Sequence, residues 1–114
     1  MIKTSKDMRI EERDNMRGGP GRVIIQHIIE KEQLQHARLF SQITLQPGDG
    51  IGPHTHTGET EYYYILEGSG KVVEDDGEKS VSAGDVVITG NGESHSITNT
   101  GAVTLKFIAI IILD

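Results

Sequence analysis

Short apolar segments separated by glycine-containing turns run through most of the chain. From residue 23 onward, segments rich in β-branched residues recur at intervals of roughly 8–12 residues, a spacing typical of all-β sandwiches and barrels. The pattern therefore predicts an all-β fold. The predicted strands cover residues 23–29, 37–45, 62–66, 71–74, 80–82, 86–89, 95–98 and 103–113.

One turn and one segment of ambiguous pattern complete this prediction. Asp75-Asp76-Gly77 stands between two predicted strands, and an Asp-Gly pair supplies the positive φ that a tight hairpin requires. Only residues 30–38 could form a helix, and their leucines, Leu34 and the adjoining Leu39, are too sparse for an apolar helical face.

The strand predicted over residues 37–45 has two unlike faces. Alternation along a strand places Leu39, Ser41, Ile43 and Leu45 on one face and Arg38, Phe40, Gln42 and Thr44 on the other. The pattern does not decide which face points inward. If it is the second, Gln42 or Arg38 could bind a substrate carboxylate; the more ordinary interpretation of Arg38 is an ion pair at a surface or interface.

The first part of the chain differs in composition from the rest. Residues 1–21 are charged and end in Gly18-Gly19-Pro20-Gly21. We predict an N-terminal arm over residues 1–21 and a single barrel domain over residues 22–114, a size that suits one domain. Because small barrels often cover an open edge by association, we expect the first strand to pack on a partner subunit.

Charge and composition exclude several classes of protein. The formal net charge is −6, which disfavours binding to nucleic acid and to anionic membranes. No cysteine is present, which excludes disulfides and thiolate ligands and suits a cytoplasmic location. The N-terminus lacks the apolar stretch of a signal peptide, and the apolar run at residues 107–113 is far shorter than the ~20 residues that span a bilayer.

Four residues have the side chains of a metal site. His54 and His56 are two apart, so in a strand both imidazoles project the same way; Glu61 follows across a turn, and His95 begins a later strand. Three imidazoles and a carboxylate suit Mn, Fe, Co, Ni, Cu or Zn and disfavour Ca and Mg. Four ligands also leave one or two positions open on a six-coordinate metal. A His-x-His pair alone is more often a pair of surface histidines, so the interpretation depends on its surroundings.

Those surroundings repeat a known pair of motifs. Gly48 is followed by five residues and His54, then by one residue and His56, four residues and Glu61, and six residues and Gly68. Further along, Gly84 is followed by five residues and Gly90-Asn91-Gly92, then by two residues and His95, and by three residues and Asn99. The chain thus resembles the cupin superfamily in both of its motifs, over roughly residues 37–112. Gly90 departs from the pattern, which usually has proline there.

The resemblance implies a fold, a ligand set and an assembly. We expect a six- to eight-stranded jelly-roll β-barrel, a double-stranded β-helix, that forms a homodimer. One divalent transition metal per subunit is expected at His54, His56, Glu61 and His95.

Within that superfamily, the chain is most similar to small oxalate-decarboxylase-like monocupins. The similarity lies in Arg17-Gly18-Gly19, residues 92–96 and the apolar C-terminal strand. Two-domain oxalate decarboxylases have a substrate-binding arginine three residues before the first ligand histidine, where this chain has Ile51. They also use a glutamate on a mobile lid, for which this chain has no evident segment.

Several residues outside the four ligands are predicted to line a pocket, to pack in the core or to lie on the surface. Tyr63 and Ile65 share the face of Glu61, and we expect them to line a ligand pocket together with Gln42 and Ile51. Tyr62 and Tyr64 are interpreted as packing residues, and Asn99 as the brace of a turn. The remaining histidines, His27 and His36, are predicted to lie on the surface.

Two functions of different class fit this centre. The first is a metalloenzyme, a decarboxylase, dioxygenase or isomerase, that acts on a small carboxylate or another oxygen-rich metabolite. The second is a ligand-binding or sensory cupin in which the metal holds a metabolite without turnover, which the absence of an evident general base favours. A metal-free sugar-nucleotide isomerase fits less well, because such proteins need not keep all four ligands.

Overall fold

A computed structural model describes all 114 residues and shows an almost entirely β structure. Three single turns of 3-10 helix lie between or before strands, at Ser5–Asp7, Met16–Gly18 and Lys31–Gln33. The ten strands are β1 (Arg9–Asp14), β2 (Arg22–His27), β3 (Ala37–Leu45), β4 (Gly50–Thr55), β5 (Glu59–Glu67), β6 (Ser69–Glu74), β7 (Gly77–Ser82), β8 (Val86–Gly90), β9 (Ser94–Thr98) and β10 (Leu105–Leu113).

The strands form two antiparallel sheets packed face to face. One sheet has the order β1-β2-β3-β10-β5-β8 and the other the order β4-β9-β6-β7. This is a jelly-roll β-sandwich, and the all-β prediction is confirmed. Ten strands are present rather than the expected six to eight, because residues 1–21 and the segment before His56 contribute β1 and β4.

Alternation along the central strand of the larger sheet builds the core. Leu105, Phe107, Ala109 and Ile111 of β10 are almost completely buried between the sheets. The residues between them point to the outer face, so this apolar run is one buried strand with two apolar faces. No helix of the chain is long and apolar enough to cross a membrane.

The structure decides which face of β3 points inward. Ser41, Ile43 and Leu45 are buried in the core, so Gln42 lies on the outer face. The prediction of Gln42 as a pocket residue was therefore wrong, because the apolar side chains of this strand take the inner face.

The segment predicted as an arm adds a strand to the larger sheet. β1 pairs with β2 along its whole length, from Arg9 opposite His27 to Asp14 opposite Arg22. The turn that follows, Met16–Gly18, packs against β4. Of residues 30–38, which could have formed a helix, only Lys31–Gln33 adopt a single 3-10 turn.

One histidine prediction is corrected and the other holds. His27 is buried rather than on the surface: its Nε2 lies 2.8 Å from Glu11 Oε1 and its Nδ1 faces Ser41 Oγ. Glu11 belongs to β1, so the additional strand covers His27. His36 is exposed, as predicted.

Candidate metal centre

The four predicted ligands come from three neighbouring places in the sandwich. His54 lies in β4 opposite His95 in β9, as the register of the smaller sheet pairs them. His56 follows β4 directly, and Glu61 projects inward from β5 of the larger sheet. The site therefore spans the two sheets at one end of the core.

The four side chains converge on one point. Glu61 Oε1 lies 2.9 Å from both His56 Nε2 and His95 Nε2, and 3.4 Å from His54 Nε2. His95 Nε2 lies 3.0 Å from His54 Nε2 and 3.2 Å from His56 Nε2. Ligand atoms held about 2.1 Å from one metal at right angles stand about 3 Å apart. The donor atoms thus have the spacing of a ligand set around a single ion.

Each imidazole is oriented by a partner at its other nitrogen. His54 Nδ1 donates to the carbonyl oxygen of Gly52 over 2.8 Å, and His56 Nδ1 donates to Glu59 Oε2 over 2.6 Å. His95 Nδ1 lies 2.7 Å from the hydroxyl oxygen of Thr89, which can accept its hydrogen. With the hydrogen on Nδ1, each Nε2 presents a lone pair to the centre, which is the tautomer that metal binding requires.

The donor chemistry and the burial both fit a divalent transition metal. Three imidazole nitrogens and one carboxylate oxygen are borderline ligands, and His56, Glu61 and His95 are buried. One carboxylate is too few oxygens for calcium or magnesium. The residues present could hold one ion, whose identity the ligand set leaves among Mn, Fe, Co, Ni, Cu and Zn.

The electrostatics of the centre keep its carboxylate ionised. Burial disfavours the charge on Glu61, but the three imidazoles that face its Oε1, whose Nε2 atoms donate to it when the rings are protonated, outweigh this effect and hold the pKa of this carboxyl well below its usual range. The hydrogen bond to Glu61 raises the pKa of His56, whereas burial lowers that of His95. His56 and His95 thus differ in how readily they accept a proton.

A second carboxylate, Glu59, has a structural role that the sequence pattern did not reveal. Arg38 donates two hydrogen bonds of 2.6 Å to the two oxygens of Glu59, and one of these oxygens accepts the hydrogen of His56 Nδ1. The Arg38 guanidinium lowers the pKa of Glu59 to about 2. Arg38 thus forms an ion pair with Glu59, and an ion pair was the more ordinary of its two predicted roles. The one signal in the sequence that could have identified Glu59 is its place three residues after His56, within reach of that imidazole.

The centre opens into a cavity of about 110 Å³ between the sheets. Of the predicted pocket residues, Tyr63 and Ile51 line this cavity, whereas Ile65 is buried in the core beyond it. The cavity is lined by Arg13, Met16, Arg17, Ile25, His27, Arg38, Leu39, Ile43, Ile51, His54, His56, Glu61, Tyr63, Ala109 and Ile111. The residues from the N-terminal segment among them were missed because that segment was predicted as an arm.

Tyr63 forms part of the wall beside the ligands. Its ring stacks on His95 with centroids 4.8 Å apart and contacts Phe107 with centroids 4.6 Å apart. Burial and the neighbouring Glu61 raise the pKa of the Tyr63 phenol, and the charge of Arg17 acts in the opposite direction. The Tyr63 phenol therefore stays protonated. The stacked Tyr63 ring also helps to hold the His95 ring in place.

Asn99 braces a turn, which confirms its prediction. Its Nδ2 donates to the carbonyl oxygens of Leu45 and Val103, and its Oδ1 accepts from the amide of Gly101. These bonds tie the loop before β10 to the end of β3, away from the metal ligands.

Comparison with known proteins agrees with this geometry. A family model described as "Cupin domain" matches residues 41–111. The chain is 46% identical over 114 residues to the oxalate-binding protein of Thermotoga maritima, covering 99% of this chain and 94% of that protein.

Solved structures give the same result for the fold. The crystal structure of a predicted oxalate decarboxylase from Thermotoga maritima superposes with a TM-score of 0.94 at 45% identity, over the whole of both chains. The polyketide cyclase RemF from Streptomyces resistomycificus superposes with a TM-score of 0.77 at 19% identity, covering all of this chain and 81% of the other. At that identity, the likeness concerns the fold alone.

Proposed function

The chain belongs to the cupin domain family, and on that premise we propose that it binds one divalent transition metal per subunit and holds a small carboxylate against it. The observation that supports this most strongly is the convergence of three Nε2 atoms and Glu61 Oε1, with each Nδ1 already engaged. Without an ion, this arrangement would leave the lone pairs of three imidazole nitrogens facing one carboxylate oxygen with no donor between them.

The surroundings of the centre favour an anionic ligand. A bound divalent ion acts as a Lewis acid toward carboxylate oxygens. Since Glu61 is the one carboxylate among the cavity-lining residues, an ion and its ligands keep a net positive charge. Arg13, Arg17 and Arg38 line the same cavity, and their guanidinium groups suit carboxylates.

The size of the cavity favours a small ligand. At about 110 Å³ it is much smaller than the roughly 300–1,000 Å³ of pockets that take drug-sized molecules. Oxalate is the ligand that the name of the Thermotoga relative gives. We therefore propose oxalate or a similarly small carboxylate as the ligand of this chain.

Binding without turnover is the better-supported of the two functions predicted from the sequence. Apart from the four ligands, the ionisable residues that line the cavity are three arginines, His27 and Tyr63. Both ring nitrogens of His27 are engaged, by Glu11 and Ser41, and the Tyr63 phenol has a raised pKa, so neither side chain offers a free basic atom to a ligand. The enzyme hypothesis stays a prediction, which CO₂ release or O₂ consumption by the metal-loaded protein with small keto and dicarboxylic acids would support.

The experiment that tests the proposal measures metal and oxalate in sequence. Untagged protein loaded with Mn²⁺ is expected to hold one ion per subunit by mass spectrometry and to bind sodium oxalate in a calorimetric titration. The double variant His54→Ala/His95→Ala should lose both, whereas His36→Asn, at an exposed histidine away from the centre, should keep both. Equal metal content in the double variant and the wild type would refute the proposed centre.

The outer face of the larger sheet supports the homodimer predicted from the sequence. Tyr64, Val86 and Ile88 are each about half exposed, and they lie side by side on β5 and β8. Ile108 and Ile110 of β10 continue this apolar surface across the sheet. Contiguous exposed apolar patches commonly mark association sites, so we propose that two copies pair through this face. The cytoplasmic location stays a prediction from the sequence.

A further inference from the structure

Among the arginines of the cavity, Arg17 is the one whose charge no acidic side chain balances. Arg13 forms an ion pair with Glu11, and Arg38 forms its bidentate pair with Glu59. The Arg17 side chain forms no ion pair and no hydrogen bond with any other residue of the chain. Its guanidinium therefore contributes no polar contact to the fold.

The backbone at Arg17 is in a conformation that does not suit arginine. Its φ is 55° and its ψ is 28°, in the left-handed region that glycine or asparagine adopts at less cost. The stability of the turn alone would therefore favour glycine at this position. A side chain kept in an unfavourable backbone conformation is an indication of a functional role.

Close contact between glycines fixes this turn against the metal centre. A Cβ atom on Gly52 would overlap the carbonyl oxygen of Arg17, and one on Gly19 would lie 2.6 Å from the Gly52 amide nitrogen. Gly52 also accepts the hydrogen bond that orients His54. Gly52 of β4 therefore contacts the turn that contains Arg17 and also orients the predicted metal ligand His54.

We propose that Arg17 is the specificity-determining residue for the anion: its guanidinium binds the oxygen atoms of the carboxylate ligand that face away from the metal. This inference rests on the proposed carboxylate function. A guanidinium presents two parallel N–H groups that match the two oxygens of a carboxylate, and such charge-assisted pairs are strong. The free positive charge at the cavity of a protein with a net charge of −6 would also attract a small anion to the centre.

The test compares oxalate binding and metal binding in matched arginine variants. Arg17→Gly removes the guanidinium and suits the left-handed backbone, so we expect its melting temperature to equal or exceed that of the wild type. Its affinity for sodium oxalate in the Mn²⁺-loaded state should fall by about 10- to 100-fold, and Arg17→Lys should recover part of the loss. Metal content should not change in either variant.

Arg22→Ala provides the control for loss of one positive charge. Arg22 pairs with Asp14 and Glu12 near the same turn and does not line the cavity. Its oxalate affinity should stay within about twofold of the wild type, in line with the small effects of exposed ion pairs.

The outcomes separate this inference from the function on which it rests. If wild-type protein binds metal but not oxalate, the proposed carboxylate function fails and the role of Arg17 fails with it. If the wild type binds oxalate and Arg17→Gly binds it equally well, the function stands and the role of Arg17 is overturned. An equal loss of affinity in Arg17→Gly and Arg22→Ala would also overturn it, since a general charge effect would then explain both.

Discussion

At the scale of single residues, the ligands of the centre and their supporting groups differ in how far the sequence predicts them. His54, His56, Glu61 and His95 stand at fixed spacings in two motifs, and the structure brings all four together. The residues that meet the Nδ1 atoms of two of these histidines were not predicted: Glu59 accepts from His56, and the Thr89 hydroxyl faces His95. Which nearby polar side chain meets a ring nitrogen depends on the packing of β5 against β8 and β9, and no spacing in the sequence determines it.

Glu59 is expected to control metal affinity without touching the metal. Glu59→Gln should weaken Mn²⁺ binding by about 10- to 100-fold, because a neutral amide orients His56 less firmly and lowers the basicity of its Nε2. Calorimetric titration with Mn²⁺ measures the change. Glu78→Gln serves as the control, since Glu78 is an exposed glutamate of β7 outside the cavity. A Glu59→Gln protein with wild-type metal affinity would show that the hydrogen bond to His56 has no such role.

Metal binding should weaken as the pH falls. The hydrogen bond to Glu61 raises the pKa of His56 above the ordinary 6.5, so a proton competes for this imidazole at a pH where an ordinary histidine is already neutral. Above the raised pKa of His56, the metal affinity does not depend on this proton. Below it, the metal affinity falls by about tenfold per pH unit for each proton that the metal must displace. Mn²⁺ titrations between about pH 8 and pH 6 measure this slope. Affinity that does not change over this interval would contradict the assignment of His56 as a ligand.

At the scale of strands and turns, alternation predicted most of the strands, but not β1 or β4 and not every face. Residues 103–113 and 37–45 were expected as strands, and β10 and β3 occupy most of these positions. The sequence could not decide which face of β3 points inward, because each face has apolar and polar residues. Leu39 shares its face with Ser41, and Phe40 shares the other face with Gln42. Residues 1–21 were predicted as an arm because their charged side chains conceal the edge strand β1, which has almost no buried residue.

Gly52 is the contact on which the position of the Met16–Gly18 turn depends. In Gly52→Ala, the new methyl group would overlap the carbonyl oxygen of Arg17, which belongs to the backbone and cannot rotate away. We expect a loss of about 1–3 kcal/mol in the free energy of unfolding, the usual cost of overpacking.

Chemical denaturation measures this loss, with Gly101→Ala as the milder control. A Cβ at Gly101 would first meet the Ser69 hydroxyl at 2.9 Å, a side-chain atom that can move. Equal stability of Gly52→Ala and the wild type would mean that the turn is not seated on β4 as described.

At the scale of the whole molecule, two chains are expected to associate through the outer face of the larger sheet. Ile88→Asp places a charge in the middle of the patch beside Tyr62 and should convert a dimer into a monomer in sedimentation experiments. Val103→Asp changes an equally apolar and even more exposed residue in the loop before β10, and should leave the dimer intact. If the wild type sediments as a monomer, or if both variants do, this face is not the interface.

The whole molecule also explains why the sequence does not determine the reaction. The fold positions four candidate metal ligands, a small cavity and a positive charge, and the same parts serve a protein that binds a carboxylate or one that converts it. The two functions differ in whether a group in the cavity transfers a proton, which depends on how His27 and Tyr63 are partnered. The partner of His27, Glu11, lies on β1, in the segment that the sequence predicted as an arm.

We expect His54, His56, Glu61 and His95 to hold one metal ion between the two sheets. Anomalous diffraction from a crystal of the untagged protein grown with Mn²⁺ tests it directly. One strong anomalous peak per subunit is expected, bonded to the three Nε2 atoms and to Glu61 Oε1 and open toward the cavity that Arg17 lines. A map with no peak at these four atoms, or with the ion bound elsewhere on the chain, would contradict it.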